Sequence, residues 1–390
     1  MLQAIELYRE DDTRDELGIG TIRDSIADLL FPGTSTIQTR LRYFLFIPWL
    51  LKMIEQKRVP SQKASNRSRD YQGSLREALM SQTADDGIIG IVAGYKVKRL
   101  PSNIYWNGLD KWGIRLFHGT EMSYYHSLDG FYDRQRTNRV SGNGEPNKEV
   151  LVENWDPALP MCPEKLLEEA SFQLNKEEAT YLLDRIRTHK PNSLLRYLIE
   201  RAETVPDEVR YVWEHHAITE IPQKIQDQVL HARNFSEVMH GAALLYNLIL
   251  AEQLLVDERI QNYRKLIDQW QNLMRTRELA IISWSMEEFW ILVKGTGANL
   301  RTKSFIEKWF GLVRDTASNH SFSDNTVARN LIIDRERCIK GRRARVNNSS
   351  LKKSRQMNFG AAQLEYRWNN PVRSYLNDMA KALSMKYDHA

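Results

Sequence analysis

Between residues 235 and 256, Phe235, Val238, Met239, Ala242, Leu245, Leu248, Ile249 and Leu255 recur three and four positions apart. That spacing lays a broad apolar stripe along one α-helix and does not fit the two-residue alternation of a half-buried strand. A stripe of that width has to be covered by other helices, so it predicts a multi-helical core. Similar periodicity predicts further helices over 164–170, 175–188, 192–203, 206–216, 221–232, 258–277, 285–294, 302–318, 324–340 and 371–385, the last opened by Pro371.

The N-terminal part reads the same way. A short amphipathic helix is expected over 1–10, and acids of Asp11–Glu16 can cap the helix that follows at 19–30. Phe31-Pro32-Gly33 stops that helix. Thr34, Ser35 or Thr36 is then expected to cap a helix through Lys57, kinked at Pro48. Its apolar run Tyr43–Leu51 is about half the roughly 20 residues a membrane span needs, so it reads as buried core and no membrane contact is expected. Residues 59–73 are polar and basic and read as a flexible loop before a helix at 74–81. GIIGIV (from Gly87) and WGIRLF (from Trp112) can pair as short strands, and Ser102 is expected to cap the helix between them.

The expected architecture is therefore mostly α and multi-helical, with two domains and a small strand pair in the first. Residues 1–140 form an N-terminal helical domain for which a helix-turn-helix-like arrangement is an option. The Arg-, Asn-, Gly- and Pro-rich stretch 141–163 reads as a linker, and 164–390 forms the C-terminal helical domain. A length of 390 residues suits two or three domains. Two cysteines without CxxC spacing, Cys162 and Cys338, exclude a disulfide framework and a cysteine-rich zinc site and suit a cytoplasmic location.

No catalytic motif is present: no GxxxxGK[ST], HExxH or GxSxG. The chain is thus read as a non-enzyme with no catalytic residue, no cofactor and no metal site. His215 and His216 are adjacent and, within a helix at 206–216, would point to different faces. His240 reads as a satisfied core histidine.

Charge offers the one functional pointer. The net charge is only +5, but Arg335, Arg337, Lys340, Arg342, Arg343, Arg345, Lys352, Lys353 and Arg355 fall within 21 residues whose one acid is Glu336. Such a cluster favours a polyanion, because each cation that neutralises a phosphate releases counterions. The alternatives are an acidic protein partner and a merely solvated loop. Lys96, Lys98 and Arg99 make a second island, with Tyr95, Tyr105, Trp106 and Trp112 interleaved. Aromatics there can stack on bases, although helical spacing makes Trp112 a core candidate. In Thr34–Arg42 the helix start beside Arg40 and Arg42 is a weaker candidate for a phosphate contact.

Two passages, DELGIGTIRDSIADLLFPGTSTIQTRLRYFLFIPWL (Asp15–Leu50) and KRLPSNIYWNGLDKWGI (Lys98–Ile114), resemble an uncharacterised bacterial family whose members recur beside helicases, phospholipase-D-like nucleases and DNA methyltransferases in anti-phage defence neighbourhoods. HGAALLYNLILAEQ (His240–Gln253), AQLEYRW (Ala362–Trp368) and PVRSYL (Pro371–Leu376) agree with it, so the resemblance spans most of the chain. It implies an accessory defence component that works near DNA with a helicase or nuclease partner, and it transfers no catalytic residue. A scaffold or sensor subunit and a metal-dependent nuclease with dispersed carboxylates are the other readings.

Overall fold

A computed structural model describes residues 15, 17–82, 87–91, 99–140 (side chains to 136), 153–295, 297–315, 321–347 and 362–384. These residues hold fourteen α-helices: α1 Gly20–Leu30, α2 Tyr43–Gln56, α3 Ser61–Gln82, α4 Pro101–Lys111, α5 Glu121–Val140, α6 Lys176–His189, α7 Leu194–Ile199, α8 Gln223–Leu254, α9 Asp257–Thr276, α10 Glu278–Ile282, α11 Met286–Leu292, α12 Leu300–Asp315, α13 Thr326–Lys340 and α14 Arg373–Ser384. The expected helix over 1–10 lies outside the described residues.

The helices gather into two compact units, each built from separated parts of the chain. The first takes the described residues of Met1–Ala27 and Pro222–Tyr366, and the second those of Asp28–Ile221 and Arg367–Ala390.

In the first unit α8 is the spine. The two helices expected over 221–232 and 235–256 are one helix of 32 residues, with α9, α12 and α13 packed against it. Two indoles fasten this packing. Trp270 of α9 donates to the Glu237 carbonyl at 2.8 Å, and Trp309 of α12 donates to the Val238 carbonyl at 2.9 Å. Gly241 lets α9 come this close, because a Cβ there would overlap the Trp270 ring. Asp15 caps α1 by accepting from the amides of Ile19 (2.7 Å) and Gly20 (2.8 Å), as the acidic lead-in predicts.

In the second unit α2 is buried nearly all round, from Tyr43 to Leu51 without a break, and continues through Pro48. Phe44 stacks on Trp112, their centroids 3.8 Å apart. Trp112 donates to the Pro32 carbonyl at 2.9 Å, so it is a core residue. Gly33 (φ +87) passes directly beneath that indole, where a side chain would not fit.

Several sequence expectations are corrected. Residues 59–73 are not a loop but the first half of α3. Their buried residues (Ala64, Ser68, Tyr71, Gln72 and Gly73) are mostly small or polar, which hides this half of the helix from a hydropathy reading. Ser102 does not cap α4. Leu100 occupies that position, and Ser102 is buried against Gln72, giving its amide to Oε1 (2.9 Å) and accepting from Nε2 (3.0 Å) at its hydroxyl. The helix expected from residues 34–36 onward starts only at Tyr43, because Thr34–Leu41 is an irregular loop held by its buried residues Thr34, Gln38, Thr39 and Leu41.

No α-helix forms over 164–170 or 206–216. No strand occurs among the described residues. The backbone of WGIRLF pairs instead with residues 154–156, through a single antiparallel bridge between Arg115 and Trp155. That pairing places Trp155 in the core of the second unit, where it donates to Glu55 at 3.1 Å, so the described part of the 141–163 stretch is packed. α4 and α5 are joined by residues 112–120.

Candidate nucleic-acid interface

The basic segment begins on α13, whose first turn is capped by Asn325 accepting from the Ala328 amide at 3.0 Å. Its only acid, Glu336, is fully buried and organises the chain just beyond the helix. The Glu336 carboxylate accepts from the Tyr246 hydroxyl (2.7 Å) and from the amides of Arg345 and Val346 (3.0 Å each). The chain after α13 is thereby folded back onto the helix, and the 3₁₀ turn Gly341–Arg343 stands out from it.

This anchoring sorts the cations. Arg335 is buried: its guanidinium donates to the carbonyls of Leu17 (2.8 Å) and Gly18 (3.2 Å) and to the Thr302 hydroxyl (2.8 Å), and it lies over the Phe305 ring at 5.0 Å. It is a structural residue and is not part of a surface. Lys340 lies 3.6 Å from Glu336, and Arg345 is half-buried. Arg337, Arg342 and Arg343 are exposed, with Arg337 donating to Asn347 at 3.1 Å. Lys352, Lys353 and Arg355 lie outside the described residues.

One further cation belongs here. Arg301 of α12 is exposed and reaches, at 3.9 Å, Sγ of Cys338, the residue that follows Arg337 on α13. Its distance in sequence gave no hint of this. Asp334, one residue before the basic segment on α13, is an exposed acid.

The second island does not make a stacking platform among the described residues. Lys96 and Lys98, with Tyr95, lie outside them, and Arg99 is exposed. Tyr105 is fully buried and donates to the Arg40 carbonyl at 2.9 Å. Burial pushes its hydroxyl up to about 12. Trp106 donates to the Gly119 carbonyl at 2.9 Å and carries Arg115 over its ring at 4.6 Å. The Thr34–Arg42 loop is also committed internally. Arg40 forms a bidentate pair with buried Asp378 (2.6 Å at its shortest), and Arg42 pairs with buried Glu178 (2.6 Å). Neither is left to meet a phosphate.

The described residues thus make an all-α protein of two compact units, one of which presents an anchored arginine turn. The chain belongs to the family of unknown function DUF6361, whose profile matches residues 2–383. No curated protein and no solved structure matches it. Among the described residues no helix is long and apolar enough to cross a membrane.

Proposed function

We propose that this protein binds the phosphate backbone of nucleic acid, DNA in the first place, through Arg337, Arg342, Arg343 and Arg301. On this reading it serves as a non-enzymatic accessory subunit in a bacterial cytoplasm. A helicase or nuclease partner supplies the chemistry, in the anti-phage setting that the family resemblance implies. The observation that carries the reading is the Glu336 anchor. It holds a cationic turn in a fixed, exposed position, so little ordering cost attends binding. Three of the guanidinium groups fall within seven residues, Arg337 to Arg343, and suit bidentate phosphate contacts.

The test is a salt titration of binding to a duplex by the isolated chain. The triple change Arg337→Gln, Arg342→Gln, Arg343→Gln is expected to weaken binding and to flatten the log–log salt slope by about 0.9 for each phosphate no longer neutralised. Unchanged affinity and slope would refute the interface.

A further inference from the structure

We propose that Glu203, His215 and His216 form a binding site for one divalent transition-metal ion of the zinc class. One ring nitrogen of each histidine and one oxygen of Glu203 lie within 4.8 Å of one another. All three residues belong to the second unit.

The local backbone makes this possible. Adjacent histidines on an α-helix diverge by about 100°, but His215 is not helical. It sits with φ −72 and ψ 128 between two 3₁₀ turns, Val212–Glu214 and His216–Glu220. No α-helix forms over 206–216, where the chain runs through turns and these 3₁₀ segments instead. With that backbone the two imidazoles lie together, stacked with centroids 4.6 Å apart and planes 24° apart.

The three ligands differ in how firmly they are held. His215 is 4% exposed and packs edge-on against Trp368, with centroids 5.9 Å apart. His216 and Glu203 have side chains 61% and 43% exposed and meet at 3.1 Å through Nε2 and Oε2. The other Glu203 oxygen lies 3.8 Å from Arg201, which is itself paired with Glu220. Arg201 thus steadies the carboxylate and leaves Oε2 turned toward the imidazoles, as outer-shell partners do in metal sites. Two imidazoles and one carboxylate are a donor set for zinc-class ions, with the remaining positions open to water. A surface His–Glu pair alone has no use for a second, buried imidazole within reach.

Coordination has one local consequence. His215 Nδ1 accepts from the Ala217 amide at 3.2 Å. A metal at Nδ1 displaces that amide directly. A metal at Nε2 requires the ring proton to sit on Nδ1, which breaks the same bond. Either way the Ala217 amide is released.

The experiment is titration of the tag-free full chain with Zn²⁺ by calorimetry and with Co²⁺ by visible absorption, alongside amide NMR. The expected result is one ion per chain and a shift of the Ala217 amide. The paired change Glu203→Gln, His216→Ala affects only exposed side chains and should leave the circular dichroism and melting temperature of the metal-free chain unchanged. It should lower affinity by more than the roughly 10- to 100-fold that loss of an outer-shell partner costs. No uptake by the wild-type chain, or equal uptake by the double variant, overturns the proposal.

Discussion

The Tyr246 hydroxyl donates to the Glu336 carboxylate over 2.7 Å, tying the spine helix α8 to the helix that leads into the arginine turn. Burial, and then the carboxylate itself, push that hydroxyl well above its usual range, so the tyrosine stays a donor at any working pH. The two amides that share Glu336, from Arg345 and Val346, make the carboxylate a hinge pin for the arginine turn.

Glu336→Gln should therefore act on both fold and surface. The Tyr246 hydroxyl and the two amides all point at carboxylate oxygens, and replacing one oxygen by an NH₂ group sets a donor against a donor. The expected cost is about 1–3 kcal/mol of stability, seen in chemical denaturation. Amide exchange over 341–347 should speed up, and duplex binding should weaken although no arginine is removed.

Arginines eight positions apart should behave oppositely. Arg335→Ala leaves the Leu17 and Gly18 carbonyls without this donor and should destabilise the first unit by about 1–3 kcal/mol, the usual cost of buried acceptors that lose their partner. Arg343→Ala, on the surface, should change stability by less than about 0.5 kcal/mol and show its effect only in nucleic-acid binding. Denaturation midpoints and binding isotherms of the two variants separate the roles.

Gly241→Val places a branched side chain where the Trp270 indole lies against α8. α9 has to move away, breaking the Trp270–Glu237 hydrogen bond. Overpacking of this kind costs about 1–3 kcal/mol or more. Trp270 should become more exposed, read by fluorescence quenching.

Glu55 gives the second unit a pH dependence of definite sign. Tyr124 (2.7 Å), Asn154 (2.9 Å) and Trp155 (3.1 Å) all donate to its Oε1, yet burial outweighs them and raises its pKa above the ordinary 4.5. A raised carboxyl favours the folded state while protonated. Its contribution is fully present below pH 4.5 and is lost as the pH rises through the folded value. Glu55→Gln keeps an acceptor oxygen for the three donors and removes the charge. It should raise the melting temperature at neutral pH relative to wild type, with the gap narrowing toward the ordinary carboxyl range near pH 4.5. An equal gap at both pH values would show that Glu55 is not the titrating group.

Much of the helix pattern is legible in the sequence because its signals are local. Asn175 with Glu178, Ser193 and Asn325 cap α6, α7 and α13 as their residue types predict. The first half of α3 is not legible, because its buried stripe runs through Ala64, Ser68 and Gln72, residues that look like surface. The arginine site is legible only as a run of charge. Nothing near Arg335 in the sequence distinguishes it from Arg337, because its partners are the Leu17 and Gly18 carbonyls. Arg301 and the convergence of Glu203 with His215 and His216 are tertiary facts. The histidine pair is hidden further by the helix that its neighbours suggest, which the extended backbone at His215 contradicts.

The partners of Arg335 also bear on the order in which the chain can fold. Leu17 and Arg335 are separated by 318 residues, and Arg40 and Asp378 by 338. During synthesis the segment at Leu17–Gly18 waits for its guanidinium until α13 has emerged, and the Arg40 loop waits for its carboxylate until α14 has. Each unit closes with the last of its parts to leave the ribosome, so the ends of these parts are the seams a chaperone would have to guard.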